Sequence, residues 1–151
     1  MIPAEVSALL RTGVSVVVGT RDASLLPECT RAWGILVHED GTSVTIFLTD
    51  TISRKAIQNL RENGQIAISC ARPTDHQACQ LKGRLRAIRP TDARDRDCRR
   101  RWSDDFLGEL IAIGVPTALF EALITEPALA VDIDVTDVFH QTPGPGAGEK
   151  L

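Results

Sequence analysis

Six extended segments run through this chain, and the connections between most of them are too short to hold the crossover helices that a parallel sheet requires. Val14, Val16, Val17 and Val18 form a β-branched run. Arg21-Asp22-Ala23 and Pro27 supply a loop before the next extended piece, Thr30 to Val37, and Glu39-Asp40-Gly41 reads as a hairpin turn into Ser43 to Leu48. These three predict strands in meander order. Gln65 to Ala71 and Gln77 to Ile88 are two more, joined by Arg72-Pro73-Thr74-Asp75. In the last, Leu129, Val131, Ile133 and Val135 alternate with Ala130, Asp132, Asp134 and Thr136, which gives one apolar and one acidic face. The pattern predicts a mainly β (α+β) fold, a six-stranded antiparallel barrel with flanking helices.

Where the period changes, helices are expected. Val6, Leu9 and Leu10 place a short one over Pro3 to Arg11, closed by Gly13. Ile57 and Leu60 share one face of a helix over Ser53 to Asn63, stopped by Asn63-Gly64. Asp92 to Gly114 begins with interleaved arginines and aspartates and ends apolar, and a short helix follows Pro116. Residues 140–151 form a Gly/Pro-rich tail expected to pack on the barrel, on a second chain or on a ligand. With no repeat and no linker, residues 1–151 read as a single domain, long enough to bury about 70% of its unfolded surface.

Charge and composition exclude several classes. A net charge of −3 offers no positive field for nucleic acid, and 4% aromatic residues without Tyr give little to stack bases on. The apolar runs Val14 to Gly19 and Leu110 to Val115 fall far short of the ~20 residues of a spanning helix, and the first residues carry no basic leader segment, so no membrane partner is expected. Cys29, Cys70, Cys79 and Cys98 show no C-x-x-C spacing and read as reduced thiols of a cytoplasmic protein. His38, His76 and His140 are separated by whole elements, and no metal site is expected. Trp33 and Trp102 fill core or line a pocket.

The stretch Thr49-Asp50-Thr51-Ile52-Ser53-Arg54-Lys55 carries the most chemistry. With Ser53 as N-cap, Arg54 and Lys55 fall in the first helical turn, where the macrodipole disfavours cations. A bound phosphate dianion would compensate them, held by backbone N–H groups, the hydroxyls of Thr49 and Ser53, and the two side chains. The alternative is a solvated helix start that tolerates a few tenths of a kcal/mol.

The segment IFLTDTISRKAIQNLRENGQIAIS resembles the strand, Thr, loop, Ser-Arg-Lys, helix, Asn-Leu, strand run of the pyridoxamine 5′-phosphate oxidase-like, FMN-binding split-barrel superfamily. Hairpin strands upstream and Lys82-Gly83-Arg84 downstream extend the resemblance over residues 14–90. It implies a split barrel, FMN as cofactor with its phosphate on Arg54, Lys55 and Ser53, and a flavin edge near Leu48 and Thr49. Arg31 is the counterpart of a family arginine, and either Gln77 or Gln80 of a family glutamine. A homodimer with FMN at the interface is implied as well. The resemblance stops short of the C-terminal Arg-x-His substrate motif, where this chain ends GPGAGEKL, so pyridoxamine 5′-phosphate oxidation itself is not implied.

Two functions follow as expectations. One is a flavin-dependent oxidoreductase acting on a small molecule, with FMN carrying the redox chemistry and NADH or NADPH bound only transiently. The other is a non-catalytic or transport-type binding module for FMN, haem or a deazaflavin, in which His76 would be the histidine to watch as proton donor or axial ligand.

Overall fold

The structure, a computed structural model, describes residues 1–123 and 129–151. Its elements are α1 (Ala4–Leu10), β1 (Ser15–Arg21), β2 (Pro27–Ala32), β3 (Ile35–Val37), β4 (Ser43–Leu48), α2 (Asp50–Asn63), β5 (Gln65–Ala71), β6 (Ala78–Pro90), α3 (Ala93–Ala112), α4 (Thr117–Leu123) and β7 (Leu129–His140).

All strand pairs are antiparallel, in the order β2-β1-β5-β6-β7-β4-β3. The first and last strands of that order are consecutive in sequence, joined only by Trp33 and Gly34. Three Cα steps reach about 11 Å, so the two edges of the sheet must lie close together and the sheet must curl into a barrel. The expected strand Thr30 to Val37 is therefore two strands, and the expected meander of the first three is corrected: β1–β2 and β3–β4 are hairpins at opposite ends of the sheet. Gly34 makes the break, with φ +127, a conformation open to glycine. Trp33 anchors it by donating its backbone N–H to the Phe47 carbonyl at 2.8 Å.

β6 turns the corner between the two halves. Through Arg84 it pairs with β5, and beyond that only with β7, with irregularities at Lys82/Gly83 and Leu85/Ala87. A Cβ on Gly83 would lie 2.5 Å from the Asp134 carbonyl oxygen, so the close approach of β6 to β7 requires glycine there.

Val16, Val18, Ile46, Leu48, Ile68, Leu81, Val131 and Ile133 point inward and form the core, into which α1 adds Leu9 and Leu10 and α2 adds Ile57 and Leu60. β4 is buried along its whole length, because α3 covers its outer face: Phe47 and Leu36 pack with Cys98 there. Trp33, Trp102, Phe106 and Phe120 make an adjoining aromatic cluster, and the Trp102 indole N–H donates to the Val14 carbonyl at 2.8 Å, so both tryptophans are core residues.

Gly13 does not close α1, whose C-cap is Arg11. A Cβ on Gly13 would fall 2.4 Å from the backbone of Asp105, so this glycine serves the approach of α3. α3 starts at a capping box formed by Asp92 and Asp95. Asp95 is buried and is gripped by Arg89 at 2.5 Å, and the same guanidinium reaches Asp132 of β7 at 2.9 Å. Asp132 in turn accepts from the Thr45 hydroxyl at 2.6 Å, which is 2.8 Å from His38 Nε2. This polar chain ties α3, β6, β7 and β4 together. The tail folds back on β7: Gly148 N–H donates to the His140 carbonyl and Leu151 N–H to that of Val138.

Candidate functional site

The site is built where β4 passes into α2. Thr49 is extended and is the N-cap, Asp50 occupies the first turn, and the first helical hydrogen bond runs from Ser53 N–H to the Thr49 carbonyl at 3.1 Å. This corrects the expected start at Ser53. The carboxylate of Asp50 suits the positive end of the helix, so the chain enters the helix one turn earlier, and Arg54 and Lys55 sit in the second turn. The cations need no compensation from the macrodipole argument; what remains is their placement. Gly64 closes the helix with φ +70, as the Asn63-Gly64 pair predicts.

Ser53 is completely buried, and its hydroxyl lies 3.0 Å from that of Thr30, which also donates to the Ile52 carbonyl at 3.3 Å. Thr30 was not singled out by the sequence, although period-two alternation next to the outward Arg31 places it inward. Asn59 from the same helix donates to the Thr20 hydroxyl at 3.1 Å, so α2 is fixed against β1 and β2 by polar as well as apolar contacts. Leu48 is fully buried and pairs with Leu129 of β7.

Three groups are left available. The Thr49 hydroxyl is buried and has no hydrogen-bond partner among the described residues. Arg54 is exposed, sharing a shallow surface groove with Asp50, Ile57, Gln58 and Arg61, and has no ion-pair partner among the described residues. Lys55 is half-exposed and faces Asp22 at 3.8 Å, a separation that leaves the ammonium open to a second anion. A buried hydroxyl without a partner is unusual in a folded chain, and with two cations close by in sequence it fits an oxyanion such as a phosphate.

Arg31 is exposed on the outer face of β2, where its guanidinium donates to the Ser15 hydroxyl at 3.1 Å. Strand register settles which glutamine shares that face. Arg31 pairs with Val17, Val17 with Ser69, and Ser69 with Gln80, so Gln80 lies three strands from Arg31, about 14 Å, on the same side. Its amide donates to the Ser69 hydroxyl at 3.2 Å. Gln77 is elsewhere, leaving the β5–β6 hairpin, where Arg72 and Asp75 pair at 2.6 Å and exposed His76 has φ +60. Between Arg31 and Gln80 that outer face carries small side chains, Ser15, Val17, Gly19, Ala67 and Ser69, and beyond Gln80 it carries Phe139, its partner on β7, with Lys82 over the ring.

Among the described residues no group of three or more His, Cys, Asp or Glu side chains could hold a metal ion, and no helix is long and apolar enough to cross a membrane.

An antiparallel sheet curled into a half-barrel, with its corner in one long strand pair and a helix entering from β4, matches the fold of the pyridoxamine 5′-phosphate oxidase-like split barrel. Similar solved structures include an F420 reductase (15% identity over 91% of this chain and 98% of that one, TM-score 0.57). An FMN-binding protein from Syntrophomonas wolfei aligns at 11% identity over 87% and 80% of the two chains, TM-score 0.56. HutZ, the heme storage protein from Vibrio cholerae, aligns at 13% identity over 93% and 95%, TM-score 0.55. No family profile matches the sequence, and no curated protein sequence does. The likeness is therefore one of fold.

Proposed function

We propose that this chain is an FMN-binding flavoprotein that works as a homodimer and as a flavin-dependent oxidoreductase on a small molecule. The observation that carries the reading is the buried Thr49 hydroxyl without a partner, at the start of the helix that bears Arg54 and Lys55. Thr49, Arg54 and Lys55 would hold the phosphate, with Ser53 bracing the helix against Thr30 from inside. Bound FMN supplies hydride or electron transfer. On the outer face, Arg31 would place positive charge where the reduced ring gains negative charge, oriented by Ser15, and Gln80 would offer an amide on that same face. The small side chains between them let a second copy approach closely enough to share the cofactor. Of the solved structures with this fold, one is an FMN-binding protein and another an F420 reductase, which supports a flavin-type ligand.

A second reading, a non-catalytic module that holds FMN, haem or a deazaflavin, is favoured by the likeness to heme storage protein HutZ. Absorption spectroscopy of the purified protein, with mass spectrometry of what heat releases, identifies the ligand, and oxidation of NADH or NADPH by the FMN-loaded protein separates the two. Flavin bands, released FMN and turnover support the first reading, whereas a Soret band, a deazaflavin, no uptake of added FMN, or FMN held without turnover sinks it.

A further inference from the structure

On the inner face of the barrel, strand pairing places three reactive side chains in one row. Cys70 of β5 is the register partner of Cys79 of β6, and Cys79 is the partner of His140 of β7. Directly opposed residues project to the same side of a sheet. Cys70 and Cys79 are 1% and 2% exposed. Arg72 N–H donates to the Gln77 carbonyl at 2.9 Å to close the hairpin, and bonded pairs recur every second residue, so Cys70 and Cys79 form a bonded pair with Cα atoms about 5.5 Å apart. That lies inside the range a disulfide spans.

The two thiols are also unequal. The neighbouring Cys79 thiol and burial push Cys70 above its ordinary pKa, while Cys70 beside it draws the Cys79 thiol below its own. Cys79, unlike Cys70, lines a groove of about 310 Å³ with His140, Val6, Leu9 and Thr142, ample for a small oxidant. We infer that Cys79 is the attacking sulfur, and Cys70 the resolving sulfur, of a dithiol that reduces a hydroperoxide and closes to a reversible cross-strand disulfide.

With hydrogen peroxide as oxidant, the Cys79 thiol proton passes to His140, and the thiolate attacks one peroxide oxygen. An S–O bond forms, the O–O bond breaks, and the departing hydroxide takes the proton from His140 as water. Cys70 Sγ then attacks Cys79 Sγ; the S–S bond forms, the S–O bond breaks, and the second oxygen leaves as water with the Cys70 proton. Two thiols and one peroxide thus give one disulfide and two waters. Bonded strand pairs hold their Cβ atoms slightly farther apart than a disulfide prefers, so the closed bond is strained and readily reduced again.

The test uses the full chain carrying Cys29→Ser, which removes the exposed thiol and leaves the buried row intact. After peroxide treatment and alkylation in denaturant, peptide mapping is expected to show a Cys70–Cys79 disulfide that dithiothreitol reverses. Recovery of both cysteines alkylated, or oxidation of Cys98 in their place, overturns the proposal. In a further Cys70→Ser variant, dimedone is expected to label Cys79; no label there overturns the order of attack. His140→Gln is expected to slow disulfide formation roughly tenfold, and an unchanged rate removes the imidazole from the step.

Discussion

Arg89 is the residue on which the internal electrostatics rest. Burial by itself would raise the carboxyl of Asp95, but the Arg89 hydrogen bonds and the Asp92 N–H overcome that and hold it below its ordinary value. A lowered carboxylate contributes stability above its unfolded pKa of about 4, and that contribution fades as pH falls through the folded value. Arg89→Ala leaves Asp95 buried against one N–H, and chemical denaturation at neutral pH is expected to show a loss of about 3 kcal/mol. The deficit should shrink as the pH is lowered toward 4, because protonation relieves the stranded charge; a pH-independent deficit would contradict this. At the candidate site, Arg54→Ala with Lys55→Ala should weaken FMN binding by at least roughly tenfold in a fluorescence titration, since charge-assisted phosphate contacts are lost. An unchanged affinity would remove the phosphate site. Neither Arg89 nor its carboxylates were legible in the sequence. Arg89, Asp95 and Asp132 lie on three elements, and local spacing carries no record of which of them meet.

At the scale of elements, local chemistry was a good guide to where α2 stops and a poorer guide to where it starts. Gly64 ends α2 in a left-handed conformation that the Asn-Gly pair announces, whereas the start was misplaced by one turn because Ser53 is as good a cap by type as Thr49. Ser53 is instead consumed by Thr30, a contact across 23 residues. Gly13 shows the same limit: it reads as a helix stop and acts as a packing surface for α3. Gly13→Ala is expected to cost at least about 2 kcal/mol, since the added methyl meets Asp105 backbone rather than a side chain that can turn away. Gly64→Ala, where the nearest atom is 3.7 Å off and only the positive φ is penalised, should cost about 1 kcal/mol. Thermal unfolding of both variants checks the order, and equal costs would refute the packing role of Gly13.

For the whole molecule, closure follows from Trp33-Gly34 linking the two edge strands. The outer face around Val17 is the surface proposed for a second copy, and sedimentation is expected to give a dimer at micromolar concentration. A monomer that still holds flavin would sink the shared-cofactor arrangement. From the sequence alone came the extended segments, their inward and outward alternation, the stop of α2 and the resemblance across residues 14–90, because each is set by residues near one another in the chain. Only the tertiary structure decided that Thr30 to Val37 divides between opposite edges, that Gln80 rather than Gln77 shares the face of Arg31, and that Cys70, Cys79 and His140 stand in one row. A strand's alternation survives any even shift of register, so its pattern fixes which face each side chain takes but not which neighbour it meets; that choice is made by pairing across the sheet and by the closure of the barrel.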